Sequence, residues 1–559
     1  MSGVDWWVLA GTLVLLIGYG LYRSRGKQNF DDYMLAGQSL PWYHVGLSVM
    51  ATQASAITFL SAPGQGFADG MRFVQFYFGL PLAMVVLSIT FVPIFHRLKV
   101  YTAYEYLETR FDGRVRSLTA ALFLLQRGLS TGLSIYAPSI ILSTILGWNI
   151  YWTNAIMGGL VLLYTVSGGT KAISHTHLTQ MLIVTVAMAL AGWLTVRLLP
   201  PDMGLTDALH VAGKAGRLNL IDTRFDLQNR YNLWSGLIGG FFLQLSYFGT
   251  DQSQVGRYLT GQSIAQSRLG LLMNGLLKVP MQFLILLVGV LVFVFYQFHT
   301  APLFFNQQEV ERLQNGPLAT AYQRLDQQHQ TLTAQRRATV EALTKGLQTD
   351  NARLSDGAGE QLKATDRALA DVHRQATDLI KRNNPAADTN DVNYVFLRFV
   401  LDHLPHGLIG LLIAALFIAS MGSIASAYSS LSSTTVVDVC HRIWPNSPAN
   451  DVALSRWLTV GWGVFCIVVA QFANLIGGSM IEIVNVLGSL FYGVILGIFC
   501  VAFYVKSVSG RATFWAALLA ESVVIACYWF NLTAFLWLNV VGCLLVVGLA
   551  WLLEKSFRR

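Results

Sequence analysis

Two stretches of the chain place small and hydroxyl-bearing residues where an ordinary membrane-buried helix would carry large apolar ones. The first is Val49-Met50-Ala51-Thr52-Gln53-Ala54-Ser55-Ala56-Ile57-Thr58. The second runs from Ala419 through Gly422-Ser423, Ser426 and Ser429-Ser430 to Thr435. Backbone that unwinds at membrane depth survives only where it lines a cavity, and its freed carbonyls are then hard oxygen ligands for a small cation. Small residues also mark close helix packing. Having both segments, each in the first half of a possible five-span unit, favours an ion and solute site. Two basic residues lie deep in apolar runs, Arg127 in Leu125-Gln126-Arg127-Gly128 and Lys278 in Leu276-Leu277-Lys278-Val279-Pro280. Intramembrane cations are costly and usually functional. The planar fork of Arg127 suits a carboxylate, so it reads either as an anion-recognising group or as the partner of a buried acid such as Glu521. Lys278 reads as a binding group or as a hydrogen-bond donor to unwound backbone.

What must position these groups is a bundle of membrane spans. The 559 residues are 54% hydrophobic and only 12% charged, with a mean hydropathy of +0.49, against roughly 25% charge in soluble domains. Apolar runs able to cross a hydrocarbon core of about 30 Å recur throughout. Spans are predicted at 4–22, 41–66, 73–96, 117–146, 151–167, 174–198, 232–250, 270–297, 406–437, 455–476, 481–505, 512–530 and 533–553, thirteen in all. The net charge of +8 is a topology signal rather than a nucleic-acid footprint, because Lys and Arg flank the apolar runs instead of forming one basic face. Asp5 precedes the first run and Arg23, Arg25 and Lys27 follow it, which reads as a reversed anchor and not a signal peptide. With Arg23–Lys27 inside, Arg97, Lys99, Arg110, Arg114, Arg116, Arg442, Arg511 and the tail to Arg559 also fall inside. This predicts a multi-pass bacterial inner-membrane protein with its N-terminus outside and its C-terminus in the cytoplasm. The five cysteines lack the spacing of a metal site or disulfide framework and read as free thiols.

The chain divides into an anchor helix and inner loop (1–40), a first five-span unit (41–199), an outer loop (200–230), and a second unit (231–299 and 396–510) interrupted by residues 300–395. Two further helices follow (511–559). The interruption is rich in Gln, Ala, Arg and Asp with loosely helical apolar spacing, which predicts a periplasmic helical hairpin; a solvated linker is the alternative.

Several motifs then occur in order: Tyr33-Met34-Leu35-Ala36-Gly37; Tyr101-Thr102-Ala103-Tyr104-Glu105-Tyr106-Leu107-Glu108-Thr109-Arg110-Phe111; Tyr164-Thr165-Val166-Ser167-Gly168-Gly169-Thr170-Lys171-Ala172 leading to Gln180; Thr250-Asp251-Gln252 with Arg257; and the Ser/Thr-rich segment ending at Asp438. In these the chain resembles the sodium:solute symporters over about residues 30–510, the insertion apart. The resemblance implies an all-α membrane fold with a five-plus-five inverted-repeat, LeuT-like core. It also implies Na+ as the coupling ion, a small-molecule solute and the lipid bilayer as partners, and no enzymatic chemistry.

Carried over by motif, the sodium site would take the carbonyls of Ala51, Ala54 and Ala419 with Gly422 and Ser423. Gly422 departs from the serine usual there, so Ser426 or a water would substitute. His177 stands where many relatives have an Asp of a second ion site; it reads as an inner-loop histidine or as a protonatable group near the inner gate. The solute positions would be Thr58, Tyr77, Arg127, Gln244, Tyr247 and Lys278, with Tyr247 as an aromatic gate. Thr58 and Tyr77 stand where sugar carriers have Gln and Glu, while Arg127 adds a cation, so a carboxylate-bearing solute is favoured over a sugar. A proton-coupled carrier, a sugar carrier of the same fold, and a transporter-like sensor or channel are the alternatives. No output domain is expected after the last span. Solute identity, stoichiometry and oligomeric state are left open.

Overall fold

The structure, a computed structural model, describes residues 1–23, 36–98, 100–349, 352–385, 387–444, 451–473 and 478–558. The Tyr33-Met34-Leu35 part of the first motif and the basic residues Arg25, Lys27, Lys99 and Arg559 lie outside the described residues.

Hydrocarbon offers no partner to a backbone N–H or C=O, so each span must satisfy its own backbone, and helices carry the architecture. In chain order they are α1 (Gly3–Arg23), α2 (Trp42–Gln53), α3 (Ala56–Asp69), α4 (Leu80–Ile89), α5 (Phe91–Leu98), α6 (Glu105–Arg110), α7 (Gly113–Leu146), α8 (Ile150–Arg197), α9 (Leu205–Lys214), α10 (Gly240–Thr250), α11 (Gln252–Tyr258), α12 (Ile264–Phe298), α13 (Gln307–Gln314), α14 (Ala319–Gln348), α15 (Ala352–Asn383), α16 (Val392–His403), α17 (Leu408–Thr434), α18 (Asp451–Ala470), α19 (Met480–Tyr504), α20 (Gly510–Trp529) and α21 (Phe535–Arg558). Among the described residues there is no strand, only an isolated bridge between Leu40 and Gly261.

By length and composition ten of the described segments can cross a bilayer, with Ile150–Val166 as a shorter apolar helix. That is fewer than the thirteen spans expected, for a physical reason. The second expected span is two half-helices, α2 and α3, and the seventh, expected over 232–250, is a π-turn at Ser235–Gly239 followed by the short α10, with α11 lying beyond its expected end. The fifth and sixth form the single element α8. Its 48 residues would reach about 70 Å if straight, yet the hydroxyls of Tyr164 and Thr176 lie 3.1 Å apart. The element therefore doubles back between them, where Gly168-Gly169 lie. Each of the two expected five-span units opens on a broken helix, α2/α3 in the first and α10/α11 in the second. A Cβ on Gly289 would stand 1.9 Å from the Pro63 carbonyl oxygen, and one on Gly66 2.4 Å from that of Leu286. Thus α3 and α12 meet backbone to backbone, which small residues alone permit.

Helix α7 fixes the two faces. Ser143 near its end is held by Gln308 of α13, whereas Gly113, about 45 Å away along the axis, receives Arg442. The Gly113 face also carries Arg110, Arg114 and Arg116. Residues 300–395 are helical rather than a solvated linker. α14 and α15 pack as a hairpin whose base buries Leu303, Phe304, Leu313, Tyr322, Val372 and Ile380. Arg336 on α14 donates to the Tyr296 carbonyl at 2.8 Å, docking the hairpin on the end of α12. α16 already begins at Val392, inside the boundary expected for the insertion.

α1 joins the bundle through one carboxylate. Asp5, fully buried, accepts from the Ser2 N–H at 2.7 Å and the Ser2 hydroxyl at 2.9 Å. It also accepts from the Gly407 N–H at 2.6 Å just before α17, with His406 Nδ1 at 3.0 Å. Asp5→Ala should cost about 2–3 kcal/mol, the value of charge-assisted bonds to otherwise unsatisfied N–H groups. The loss is read as a lowered thermal midpoint in detergent, and Asp5→Asn, which keeps an acceptor, should lose less.

Candidate functional site

The first helix break falls at Ala54-Ser55, where Ala54 takes φ −83, ψ 85 and Ser55 φ −94, ψ 178. The Ser55 N–H turns to the Gln53 carbonyl and the Thr58 N–H to that of Ser55. The Ala51 and Ala54 carbonyls thereby lose their helical donors. The second break is not where the small-residue pattern placed it. Ala419–Thr434 is continuous helix within α17, widening into a π-turn only over Thr435–Cys440. Its small residues serve packing, with Ser420, Ser426 and Ser432 fully buried. The break occurs instead at Asp251, extended at φ −78, ψ 118 between α10 and α11. Asp251 Oδ1 accepts from the Ser253 N–H at 2.8 Å, an N-cap that restarts the helix.

Between the two breaks lies a cavity. Of the expected solute positions, Thr58, Tyr77, Arg127, Gln244 and Tyr247 line it, and so does Ser423. Lys278 does not: it is fully buried in α12, and its Nζ has no partner among the described residues. The expectation that it faces the solute is corrected, since α12 turns that side chain into the helix packing. Gln53 of the first small-residue stretch lines the cavity as well, and so do Gln126, Asn485 and Tyr492, which had not been singled out. Gln126 beside Arg127 and Asn485 inside an apolar run were the signals available. Gln244 Oε1 is buried without a partner.

Arg127 stands in the cavity wall. Its Nη2 donates to Ser253 Oγ at 2.5 Å, its Nη1 is 3.6 Å from Asp251 Oδ2, and its Nε is buried without a partner. The guanidinium lies 5.8 Å from the Tyr247 ring centroid. The acid beside it is thus Asp251 and not Glu521, whose two carboxylate oxygens sit buried and unpartnered on α20. Asp251 Oδ2 also accepts from the Tyr492 hydroxyl at 2.7 Å.

The expected ion ligands sit where α2, α8 and α17 meet. Ser426 Oγ is 3.5 Å from Thr52 Oγ1 of α2, and Ser423 donates to the Ser420 carbonyl at 3.1 Å. Ala51 of α2, Ala54 at the break that follows it, and Ala419 of α17 are buried. His177 is not a loop residue. It is fully buried in α8 with Nδ1 3.0 Å from Ser48 Oγ of α2. A Cβ on Gly422 would stand 2.4 Å from Gln180 Oε1 and 3.0 Å from His177 Nε2. The glycine at 422 and the histidine at 177 are therefore one change: the α8 side chains occupy the room that a side chain at 422 would need.

Below the cavity, on the face bearing Gly113, the second motif caps the second break. The Tyr104 hydroxyl donates to the Thr250 carbonyl at 2.8 Å. Gln252 accepts from the Ala103 N–H at 3.1 Å and donates to the Tyr101 carbonyl at 2.7 Å. Thr102 and Arg116 both donate to Asp438 Oδ1, at 3.0 and 2.7 Å. Buried Arg257 donates to Ser174 at 3.2 Å. The motifs thus converge on one closed face.

A model of the sodium:solute symporter family matches residues 33–320 and 378–520, leaving most of the α14–α15 hairpin outside it. The chain is 27% identical over 514 residues to the sodium-dependent multivitamin transporter of Oryctolagus cuniculus, covering 90% of this chain and 66% of that protein. It is 32% identical to the Homo sapiens sodium/iodide cotransporter over 52% of this chain and 45% of that protein. With the Homo sapiens sodium-coupled monocarboxylate transporter 1 the identity is 33%, over 48% of this chain and 44% of that protein. The chain thus spans between 44% and 66% of the length of these curated relatives. A solved structure of a Na+-coupled sialic acid symporter in a substrate-bound outward-open state superposes with a TM-score of 0.76 at 21% identity, covering 100% of this chain and 98% of that one, and shares its fold.

Gly422→Ser should cost about 1–3 kcal/mol through overpacking against α8. Combined with His177→Ala it should recover a large part of the loss, a non-additivity read from thermal midpoints in a double-mutant cycle.

Proposed function

Because the chain belongs to the sodium:solute symporter family, we propose that it is a secondary carrier that moves a small carboxylate-bearing solute together with Na+ by alternating access. The observation that carries the solute class is Arg127. It is the one guanidinium in the wall of a cavity that carries Ser and Thr hydroxyls and amide groups besides, and among the described residues its buried Nε–H has no hydrogen-bond partner. A planar guanidinium with a donor unpaired is matched by a planar anion. Two of the relatives are named for anions, iodide and monocarboxylate, and all of those reported are transporters by name rather than enzymes.

For Na+, the chain offers uncharged hard oxygens: the freed carbonyls of Ala51 and Ala54, the Ala419 carbonyl, the Ser423 hydroxyl, and Gln180 Oε1 in the room left by Gly422. Such a set suits a monovalent ion, which needs no carboxylate to offset a second charge. It lies across α2 and α17, so ion binding favours the state in which the two helices are joined. Tyr247, in contact distance of both Arg127 and Tyr492, closes the cavity towards the Gly113 face.

Orientation follows from charge. Arg110, Arg114, Arg116 and Arg442 gather at the Gly113 face, which we assign to the cytoplasm of a bacterial inner membrane. The start of α1, tied to Gly407, and the insertion then lie outside, and Arg558, which donates to the Ser507 carbonyl at 2.7 Å, lies inside.

Uptake into proteoliposomes should saturate with monocarboxylate and require an inward Na+ gradient. Arg127→Gln should weaken that solute about 10- to 100-fold, the value of a charge-assisted hydrogen bond in a desolvated site. Uptake unchanged by Arg127→Gln would remove the anion assignment; uptake driven by a pH gradient without Na+ would remove the ion assignment. Linear flux with no saturation would mark a channel.

A further inference from the structure

The insertion has no part in the site so far, yet its base meets the route from its own face to the central cavity. Along α7 the residues Ser143, Tyr136, Leu133 and Ser130 step inward from the insertion face towards Arg127. Gln308 of α13 donates to the Ser143 carbonyl at 2.7 Å and accepts from the Ser143 hydroxyl at 3.3 Å. Together with Glu309, Asn384 and Asp388 they wall an outer cavity. A smaller chamber lies beneath it, lined by Leu133, Met480 and Ile483. Ile481 and Val484, the neighbours of these last two on α19, line the central cavity.

Tyr136 and Asp388 line both the outer cavity and the chamber, so together they are the partition between them. The Tyr136 hydroxyl lies 3.4 Å from Asp388 Oδ2, at the long end of the hydrogen-bond range, where such bonds are weak. Asp388 is held from the insertion side by the Asn390 N–H, which donates to Oδ1 at 3.1 Å. Its loop is fixed by Asp391, which accepts from the Phe305 N–H at 2.9 Å. A firmly placed acid before α16 thus meets a core tyrosine through one long bond, beside Tyr394 on the outer side and above a chamber whose lining includes, besides apolar side chains, Asn393, which accepts from the Met480 N–H at 3.3 Å.

We propose that the loop leading from α15 to α16 supplies the gate on this face of the carrier: Asp388 and Tyr136 close the way from the outer cavity to the central one, and their separation opens it. The proposal rests on reading the chain as a carrier, and its test does not require transport. Val484→Cys reports access to the central cavity, which none of the five native cysteines lines. Gly357→Cys, exposed on α15, marks the side of the membrane.

A charged, membrane-impermeant methanethiosulfonate is applied to sealed vesicles of the full chain from the side that labels Gly357→Cys. Adding Tyr136→Phe or Asp388→Asn should speed modification of Val484→Cys about fivefold, the population shift that one lost hydrogen bond supports. Tyr151→Ala, which alters the wall of the outer cavity at an exposed residue away from the partition, should leave the rate unchanged. No acceleration in either partition variant, or equal acceleration by Tyr151→Ala, overturns the proposal. Thermal unfolding checks folding; should Asp388→Asn fail to fold, Tyr136→Phe, which removes a single hydroxyl, decides alone. Failure of the carrier reading would show separately, as absent uptake with the labelling rates still distinguishing the variants.

Discussion

The structure depends on what becomes of backbone groups freed at membrane depth, where no water replaces a lost helical partner. Each break resolves the problem differently. At Ala54-Ser55 the N–H groups find near neighbours and the carbonyls are left over, which makes an oxygen-rich edge. At Asp251 the carboxylate takes the Ser253 N–H, while the Thr250 carbonyl is taken by the Tyr104 hydroxyl. The second break is met by side chains of the Tyr101–Phe111 motif and by Asp251 itself, whereas the first leaves carbonyls over. That difference places the freed carbonyls on one side of the cavity and the polar latch on the other.

The same contrast separates the two faces. At the Gly113 face the contacts from the Tyr101–Phe111 motif to Thr250, Gln252 and Asp438 are numerous and run from 2.7 to 3.1 Å. Buried networks of this kind are cooperative, so they open as a unit or stay shut. At the insertion face the contacts are longer, 3.4 Å from the Tyr136 hydroxyl to Asp388 and 3.3 Å from the Met480 N–H to Asn393. The polar contacts are thus shorter at the Gly113 face than at the other. An alternating carrier that meets its solute from the insertion face needs that imbalance.

Much of the fold was legible because hydrophobic length and basic flanks are direct consequences of the bilayer. The first break was legible too, since Thr52, Gln53 and Ser55 bring polar side chains into an otherwise apolar run. The same cue failed at Ala419–Thr435, because small residues also let helices approach, and there α17 needed closeness to α2 and α8. The real second break carried another signal, an Asp ahead of Gln-Ser-Gln, which is an N-cap pattern easily lost in an apolar run. Lys278 showed the limit of reading a buried cation as a ligand: sequence gives its depth and not its direction. Gly422 and His177 were visible as two separate departures; only the packing of α8 on α17 joins them.

Arg127 and Asp251 show why the cavity wall is polar where stability alone would make it dry. A buried ion pair repays its desolvation only with close, complete hydrogen bonding. Here the two groups stand 3.6 Å apart, with Asp251 shared among Ser253 and Tyr492, and Arg127 Nε bonded to nothing. A well-packed apolar pair would be more stable, and a tighter ion pair would also be more stable. What the observed arrangement keeps is a guanidinium that a carboxylate positions without saturating. At most buried positions that would be a defect, since each polar group left incompletely paired costs desolvation. In the wall of a polar cavity the cost is smaller, because the Ser, Thr, Gln and Asn groups around Arg127 keep its surroundings polar.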